Sequence, residues 1–313
     1  MKILVTGAAG FIGSHTAERL NDLGHEVIGL DNFNDYYSVD LKELNAKNLF
    51  EQGITIIRKD LRDKDFSKVL PQNIDYIFHF AGQPGISQKS SFEDYLENNV
   101  IANKNLMDYA ETCQNLKLFV NLATSSIYGI QATFPETEAP KPASHYGVTK
   151  LTAEQMVLQK SRENQFKSCS LRLYSVIGPR ERPEKMYTKL IDLGIKGEKF
   201  PLFEGSDKHL RSFTYVGDIV DGIVSVIGKE TDVDGEIINL GSEKEHTTQE
   251  GIEAVEKVLG EKIELKIMPK RPGDQLRTKA NIEKAKRLLN YNPQTTLLEA
   301  VEKQVAWFKA NFT

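Results

Sequence analysis

The chain has 313 residues, 40% of them hydrophobic and 27% charged, with a net charge of −4 and a pI near 6.0. That balance is ordinary for a globular protein long enough to form two lobes. It offers no basic field for nucleic acid, and its longest apolar runs fall well short of the ~20 residues that span a bilayer.

Met1-Lys2 runs straight into an apolar strand, Lys2–Thr6, so no signal peptide is read there. The glycine-rich stretch Gly7 to Gly13 follows, then a helical pattern over 14–23, closed by Gly24, and a second strand over 26–30. Further strands are read at Thr55–Arg58, 76–80, 118–122 and Ser168–Leu173, with helices such as 101–112 and 150–163 between them. Strands that are apolar throughout and alternate with helices predict a parallel sheet covered on both faces. The regularity breaks after Leu173: a loop at 178–183, a helix at 186–193 and an irregular loop at 200–209. Strands at 213–216 and Ile237–Leu240 are expected to return to the sheet. One or two helices, a strand at 262–267, a loop at 269–274 and terminal helices complete the chain. The fold class expected is α/β: a doubly wound parallel sheet of Rossmann type with a smaller α/β lobe. The sheet unit is assigned 1–173 plus 212–240, and the second lobe 174–211 plus 241–313. Cys113 and Cys169 read as buried free thiols, which fits a reducing cytoplasm.

Gly7, Gly10 and Gly13 stand three and three apart, after the first strand and at the opening of the first helix. Such glycines give a tight turn, let backbone approach a pyrophosphate and pack helix on sheet; Phe11 and Ile12 complete the turn. The helix N-terminus then offers unpaired N–H groups to the diphosphate. Asp31 ends the second strand, where a carboxylate can bond both ribose hydroxyls and repel a 2′-phosphate, so the cofactor expected is NAD. Asp60 and Leu61 follow the third strand, where the adenine edge would lie.

Tyr146 and Lys150 are four residues apart and share a face if a helix begins there. A nearby ammonium, together with the positive nicotinamide, would lower the Tyr pKa and make it a general acid–base. Thr124, Ser125 and Ser126 follow the strand 118–122 at its carboxyl end, the edge where ligands bind in an open parallel sheet. The six His residues show no metal-ligand spacing and no Cys-x-x-Cys is present, so no metal is expected. His79 reads as a buried packing residue, and Trp307 as packing the last helix.

These residues together resemble the extended short-chain dehydrogenase/reductase family, in particular its nucleotide-sugar 4-epimerases, and the resemblance covers nearly the whole chain. Its glycine turn stands here as Thr6-Gly-Ala-Ala-Gly-Phe-Ile-Gly13. His79-Phe80-Ala81-Gly82 is similar to the motif along the cofactor, and Asn99 to the family's helix Asn. Ala123-Thr-Ser-Ser-Ile-Tyr-Gly129 resembles the catalytic-hydroxyl motif, which implies Thr124 beside the pair Tyr146 and Lys150. The segment Leu171-Arg-Leu-Tyr174-Ser175 resembles the strand and loop leading from nicotinamide to sugar diphosphate. The segment containing Arg182 resembles the loop that follows, and those containing Arg211, Arg271 and Asp274 resemble segments that hold diphosphate and ribose; guanidinium forks suit phosphate oxygens.

Within the group the subgroup resembled is UDP-glucuronate 4-epimerase. The run from Asp31 and Asn32 to Tyr37, then Leu41-Lys42, is similar to that subgroup's loop, as are Gln83-Pro-Gly85 and Arg182-Pro183. Ser87 and Ser175 depart from it, standing where an Arg and a Thr are usual. The family's 4,6-dehydratases carry Asp-Glu directly after the catalytic Thr, and its UDP-glucuronate decarboxylases a Glu at the second place; here both places are Ser. The resemblance therefore implies an NAD-dependent isomerase that inverts C4 of a UDP-sugar through a 4-keto intermediate. UDP-glucuronate/UDP-galacturonate is the expected substrate pair, with UDP-glucose as the alternative. A net oxidoreductase and a non-catalytic NAD sensor are further alternatives. Ser125, Ser126, Ser175 and Arg182 are expected at a C6 carboxylate, Gln83 in the substrate site and Phe203 near the base. The family also implies a homodimer joined through helices 101–112 and 151–163, in the cytoplasm.

Overall fold

The computed structural model describes residues 1–86, 90–270 and 275–313. In chain order its elements are β1 Lys2–Thr6, α1 Phe11–Asp22, β2 Glu26–Asp31, α2 Val39–Glu51, β3 Thr55–Arg58 and β4 Tyr76–His79. Then come α3 Phe92–Leu96, a π-helical turn Glu97–Ile101, α4 Ala102–Ala110, β5 Leu118–Thr124, β6 Gln131–Ala132, α5 His145–Arg162 and β7 Ser168–Leu173. Next are β8 Val176–Ile177, α6 Met186–Lys196, β9 Phe200–Phe203, β10 Leu210–Arg211, β11 Thr214–Tyr215, α7 Val216–Val224 and α8 Glu230–Val233. The chain closes with β12 Ile237–Leu240, β13 His246–Thr247, α9 Thr248–Leu259, β14 Leu265–Met268, β15 Arg277–Thr278, α10 Glu283–Leu289 and α11 Leu297–Phe312.

Seven strands form one parallel sheet in the order β12-β7-β5-β4-β1-β2-β3. The order reverses between β1 and β4, and a crevice outside the carboxyl ends of the strands opens there. β5 and β7 are buried along their whole length, as a strand covered on both faces requires. Ile3, Val5, Phe78, Val120 and Leu171 pack with α1 and α7 residues such as Ala17 and Ile223 on one face. Leu4, Ile77 and Phe119 pack with Leu106 and Val157 of α4 and α5 on the other. A separate core joins Leu190, Leu202, Ile252, Val301 and Phe308 from α6, β9, α9 and α11. The α9 and α11 helices start at full capping boxes, Thr247 with Glu250 and Thr296 with Glu299.

The α/β expectation stands, and several finer readings are corrected. The first helix begins at Phe11, not Ser14, because the third glycine lies inside its first turn. The segment expected as an irregular loop over 200–209 starts as β9, paired in parallel with β14. Pro201 hides it from a propensity reading, and a two-stranded ladder tolerates that proline because it has only edges. The 213–216 strand does not rejoin the large sheet. Its core, β11, pairs with β8 instead, because β12 already occupies the edge beside β7. Helix α2 was not foreseen; its amphipathic stripe is narrow, with Leu41, Lys42, Asn45 and Leu49 buried. Residues 280–291, assigned from the sequence to the second lobe, pack into the core of the sheet through Ala280, Ile282, Ala285, Leu289 and Tyr291.

Candidate active site

A cleft of about 770 Å³ runs over the carboxyl edge of the sheet and between it and the second lobe. At one end the backbone makes the shape. Gly7 adopts φ +69°, and a Cβ there would come within 2.8 Å of the Ala81 amide nitrogen. A Cβ on Gly13 would overlap the Gly7 carbonyl oxygen. Only hydrogen at both positions lets β1, the turn and α1 close this tightly. Gly10 caps α1 without a side-chain bond, and no acid sits in the first turn, so the helix N-terminus faces the cleft with its N–H groups uncommitted to side chains. That cradle fits a pyrophosphate.

Asp31 is buried at the end of β2. Its carboxylate accepts from the amides of Ala9 at 3.0 Å and Phe33 at 2.8 Å, tying the glycine turn to the loop after β2. Burial raises its pKa, against the pull of those amides and of Lys42. Asp60 accepts from Asn32 Nδ2 at 2.8 Å. Burial pushes the Asp60 pKa up, but the bonds from Arg62 and Asn32 outweigh it and hold the pKa at about 2. Both carboxylates suit the hydroxyl-rich adenosine end of a dinucleotide. Phe11, Ile12, Leu61, Phe80, Ala81, Gly82 and Asn99 also line this end. Asn99 projects from the π-helical turn; it accepts from the Gln83 amide at 2.8 Å and donates to Thr149 at 3.0 Å, so the floor of the cleft is fastened to α5. A π turn of this kind commonly marks a functional position.

The residues expected to do chemistry meet where β5 runs up to α5. Thr124 is the last residue of β5, and its Oγ1 accepts from the Ser126 amide at 3.2 Å. Ser144 caps α5 by accepting from the Gly147 amide at 3.1 Å, so Tyr146 sits in the first turn and Lys150 one turn later on the same face. Gly147 makes the approach possible: a Cβ there would lie 2.7 Å from the Ser126 carbonyl oxygen. Lys150 is buried, and burial lowers its pKa to about 8, with Glu154 one turn on pulling the other way. Glu154 is itself locked to β7 by Arg172, at 2.9 and 2.6 Å. The lowered Tyr146 pKa expected from the sequence needs the nicotinamide charge as well as Lys150, and the chain by itself shifts it the other way. Burial raises its pKa, opposed first by the Thr124 hydroxyl and then by Arg182, so the residue rests as the phenol.

The far end is lined by Gln83, Ser125, Ser126, Ser175, Arg182, Phe203 and Arg211, all residues expected from the sequence. Arg182 pairs with Glu184 at 2.6 Å and lies over the rings of Tyr36 and Tyr37. Arg211 is oriented by main chain, donating to the carbonyls of Leu210, at 3.1 Å, and of Gln275. Ser87, Arg271 and Asp274 lie outside the described residues. Tyr174, expected against the cofactor, has its side chain fully buried beneath the cleft, with its ring beside Tyr128. It follows β7 with its side chain turned into the core, while Ser175 turns out to the cleft. His79 is buried and bonded to Thr6 Oγ1 at 2.7 Å. Among the described residues no group of three or more His, Cys, Asp or Glu could hold a metal, and no helix is long and apolar enough to cross a membrane.

Sequence reasoning did not single out Lys185, Glu181 or Gly147. Lys185 caps α6 at the sugar end of the cleft, and burial, with Arg182 and Arg211 nearby, lowers its pKa against the pull of Glu181. The hint was present in the run Arg180-Glu-Arg-Pro-Glu-Lys185, whose charges are too many for a loop that merely connects.

The family model described as the NAD dependent epimerase/dehydratase family matches residues 3–241. An uncharacterized UDP-glucose epimerase, YtcB of Bacillus subtilis, is 37% identical, over 99% of this chain and 98% of its own. UDP-glucuronate 4-epimerase 2 of Arabidopsis thaliana is 31% identical, over 98% of this chain and 76% of its own. Among solved structures, the UDP-glucuronic acid 4-epimerase of Bacillus cereus, in complex with UDP-glucuronic acid and NAD, superposes with a TM-score of 0.93 at 32% identity, with both chains covered in full.

Proposed function

The chain belongs to the NAD dependent epimerase/dehydratase family, and from that premise we propose that it is an NAD-dependent UDP-sugar 4-epimerase acting on UDP-glucuronate and UDP-galacturonate. The observation that carries this reading is the convergence of Thr124, Tyr146 and Lys150 with the glycine turn in one cleft. The relatives named as UDP-sugar epimerases, and the Bacillus cereus enzyme in complex with NAD, support it.

Gly7, Gly10 and Gly13 with the α1 N-terminus hold the pyrophosphate, and Asp31 the adenosine ribose. NAD bound there supplies a hydride acceptor and donor. Tyr146 takes the proton of the C4 hydroxyl and later returns one, with the Thr124 hydroxyl sharing that proton. Lys150 supplies the positive charge that brings a phenol of raised pKa within reach of this exchange. Arg211 anchors the diphosphate at the other end, with the sugar free to turn between it and Tyr146. We assign Arg271 and Asp274 to the same anchor on the strength of the sequence resemblance.

The hydroxyls of Ser125 and Ser126 stand beside Thr124 where a carboxylate would repel a C6 acid. With Ser175 and Arg182 they favour a hexuronate over a neutral hexose. A second reading, UDP-glucose 4-epimerisation, is favoured by the name of the Bacillus subtilis relative. The assignment implies a division of labour between a dinucleotide unit and a sugar lobe. It also implies a cytoplasmic homodimer joined through α4 and α5, whose neighbourhood exposes Phe92, Ile101 and Val148. One experiment tests the reaction. The protein is incubated without added cofactor with UDP-glucuronate or UDP-glucose, and sugar stereochemistry is read by NMR. Conversion of UDP-glucuronate alone supports the proposal; conversion of UDP-glucose alone replaces it with the second reading; no conversion of either refutes both.

A further inference from the structure

Three consecutive residues after β8 face three different bodies. Arg180 turns to α1, where its guanidinium donates to the two carboxylate oxygens of Glu18 at 2.9 and 2.7 Å and to Ser14 Oγ at 3.2 Å. Glu181 turns to the second lobe, where it accepts from the Thr188 amide at 3.1 Å and from Gln304 Nε2 at 2.9 Å. Arg182 turns into the cleft. The neighbouring Pro179 carbonyl adds a fourth tie, accepting from His15 Nε2 at 2.9 Å. A carbonyl only accepts, so His15 carries its proton on Nε2; burial lowers its pKa to about 4, and the ring is neutral at pH 7.

Arg180 holds φ at +69°, a conformation that an L side chain adopts only where its surroundings compel it. In that conformation its guanidinium forms the bidentate pair with Glu18, the two side chains being 10% and 17% exposed. Charge-assisted forks of this kind are among the stronger polar contacts in a protein. Their place gives them a use. Ser14, His15 and Glu18 lie in the first turns of the same helix whose N-terminus forms the pyrophosphate cradle. The loop that carries Arg182 and Lys185 over the sugar end of the cleft is thus buckled to the coenzyme helix itself.

We propose that the Arg180–Glu18 pair is an interlobe latch that keeps the loop 178–185 closed along the dinucleotide cleft, slows departure of the coenzyme and sets Arg182 for the substrate. The proposal rests on the NAD-dependent reading above. Arg180 and Glu18 line no part of the cleft, so both are positioning residues. An epimerase that oxidises and then reduces the same carbon needs its coenzyme to stay through both half-reactions, and a latch on the coenzyme helix serves that need.

The test measures exchange of bound NAD for labelled NAD in the wild-type protein, Arg180→Ala, Arg180→Lys, Glu18→Gln and the double variant Glu18→Gln/Arg180→Ala. Exchange about tenfold faster or more is expected in Arg180→Ala and Glu18→Gln, with Arg180→Lys between them and wild type. The double variant should exchange no faster than Arg180→Ala, because both changes break one contact. At saturating NAD, KM for the UDP-sugar should rise more than kcat falls. Exchange within about twofold of wild type in the folded variants overturns the latch, and so do single effects that multiply in the double variant. Glu18→Gln keeps the side-chain shape and carries the test if Arg180→Ala fails to fold. A wild-type protein that binds no NAD at all overturns the cofactor reading and the latch with it, a result distinct from unchanged exchange.

Discussion

At the dinucleotide end of the cleft the main chain does most of the shaping: glycines that admit no Cβ, an open helix N-terminus, and Asp31 bonded to two amides. At the sugar end side chains do it, and they come from β8, α6, β10 and the loops between them, with Arg211 brought from β10 to Arg182 and Lys185 of one loop. A site made of backbone tolerates almost no change but leaves a short motif of fixed spacing. A site made of long charged side chains on loops can be retuned one residue at a time, which is how one fold serves several sugars.

Substitutions at the two ends should differ in what they cost. The largest effect is expected where the two ends meet: Tyr146→Phe should lower kcat by about 10³-fold with NAD still bound. A variant with near-full turnover would remove Tyr146 from the chemistry. At the backbone end, Gly13→Ala should weaken NAD binding by about 10²-fold, since the new Cβ meets the Gly7 carbonyl oxygen and the turn must open. Titration calorimetry that finds unchanged affinity would show that the turn is less rigid than it looks. At the side-chain end, Lys185→Gln should raise KM for UDP-glucuronate by about tenfold and for UDP-glucose by less, with kcat nearly kept. A larger rise for UDP-glucuronate would place Lys185 near the C6 acid; an equal rise for both substrates would place it at the diphosphate instead.

A smaller effect concerns stability. Lys150→Met should melt a few degrees above wild type at pH 7 in coenzyme-free protein, although it abolishes turnover. The sign follows from a folded pKa of about 8 against 10.5 for a free lysine. Below pH 8 the ammonium is charged in both states, and its burial costs the fold in full. Between about 8 and 10.5 the folded chain loses the proton first and the cost is relieved, so the advantage of the variant should shrink across that window. A gap that widens with pH would reverse the assignment. The smallest change is expected from Tyr174→Phe. Its hydroxyl is buried with no hydrogen-bond partner among the described residues, so NAD affinity should not move and the melting temperature should hold or rise slightly. A loss of NAD affinity would return Tyr174 to the cleft.

Most of the dinucleotide end could be read from the chain, because each of its demands falls within a few residues. The Gly7–Gly13 turn, the acid closing β2 and the Tyr146/Lys150 spacing need no knowledge of what packs where. The inward direction of the Tyr174 side chain is not legible in the sequence, for a related reason. Alternation along an extended segment sends neighbouring side chains to opposite sides, and whether residue 174 or 175 faces the cleft depends on how the end of β7 sits against Tyr128 and Gly241. The β9 strand was missed because Pro201 looks like a breaker when its partner, β14, is more than 60 residues away.

What the sequence determined by itself was the alternation of apolar strands and helices, the coenzyme turn and the spacing of the reactive pair, since each is set by local geometry and by the burial of nearby side chains. Tertiary structure alone decided the direction of residues 180, 181 and 182, the meeting of Arg182, Lys185 and Arg211, and the raised pKa of Tyr146. Those outcomes depend on desolvation and on charges brought together across long stretches of chain, and neither quantity exists until the two lobes have closed on each other.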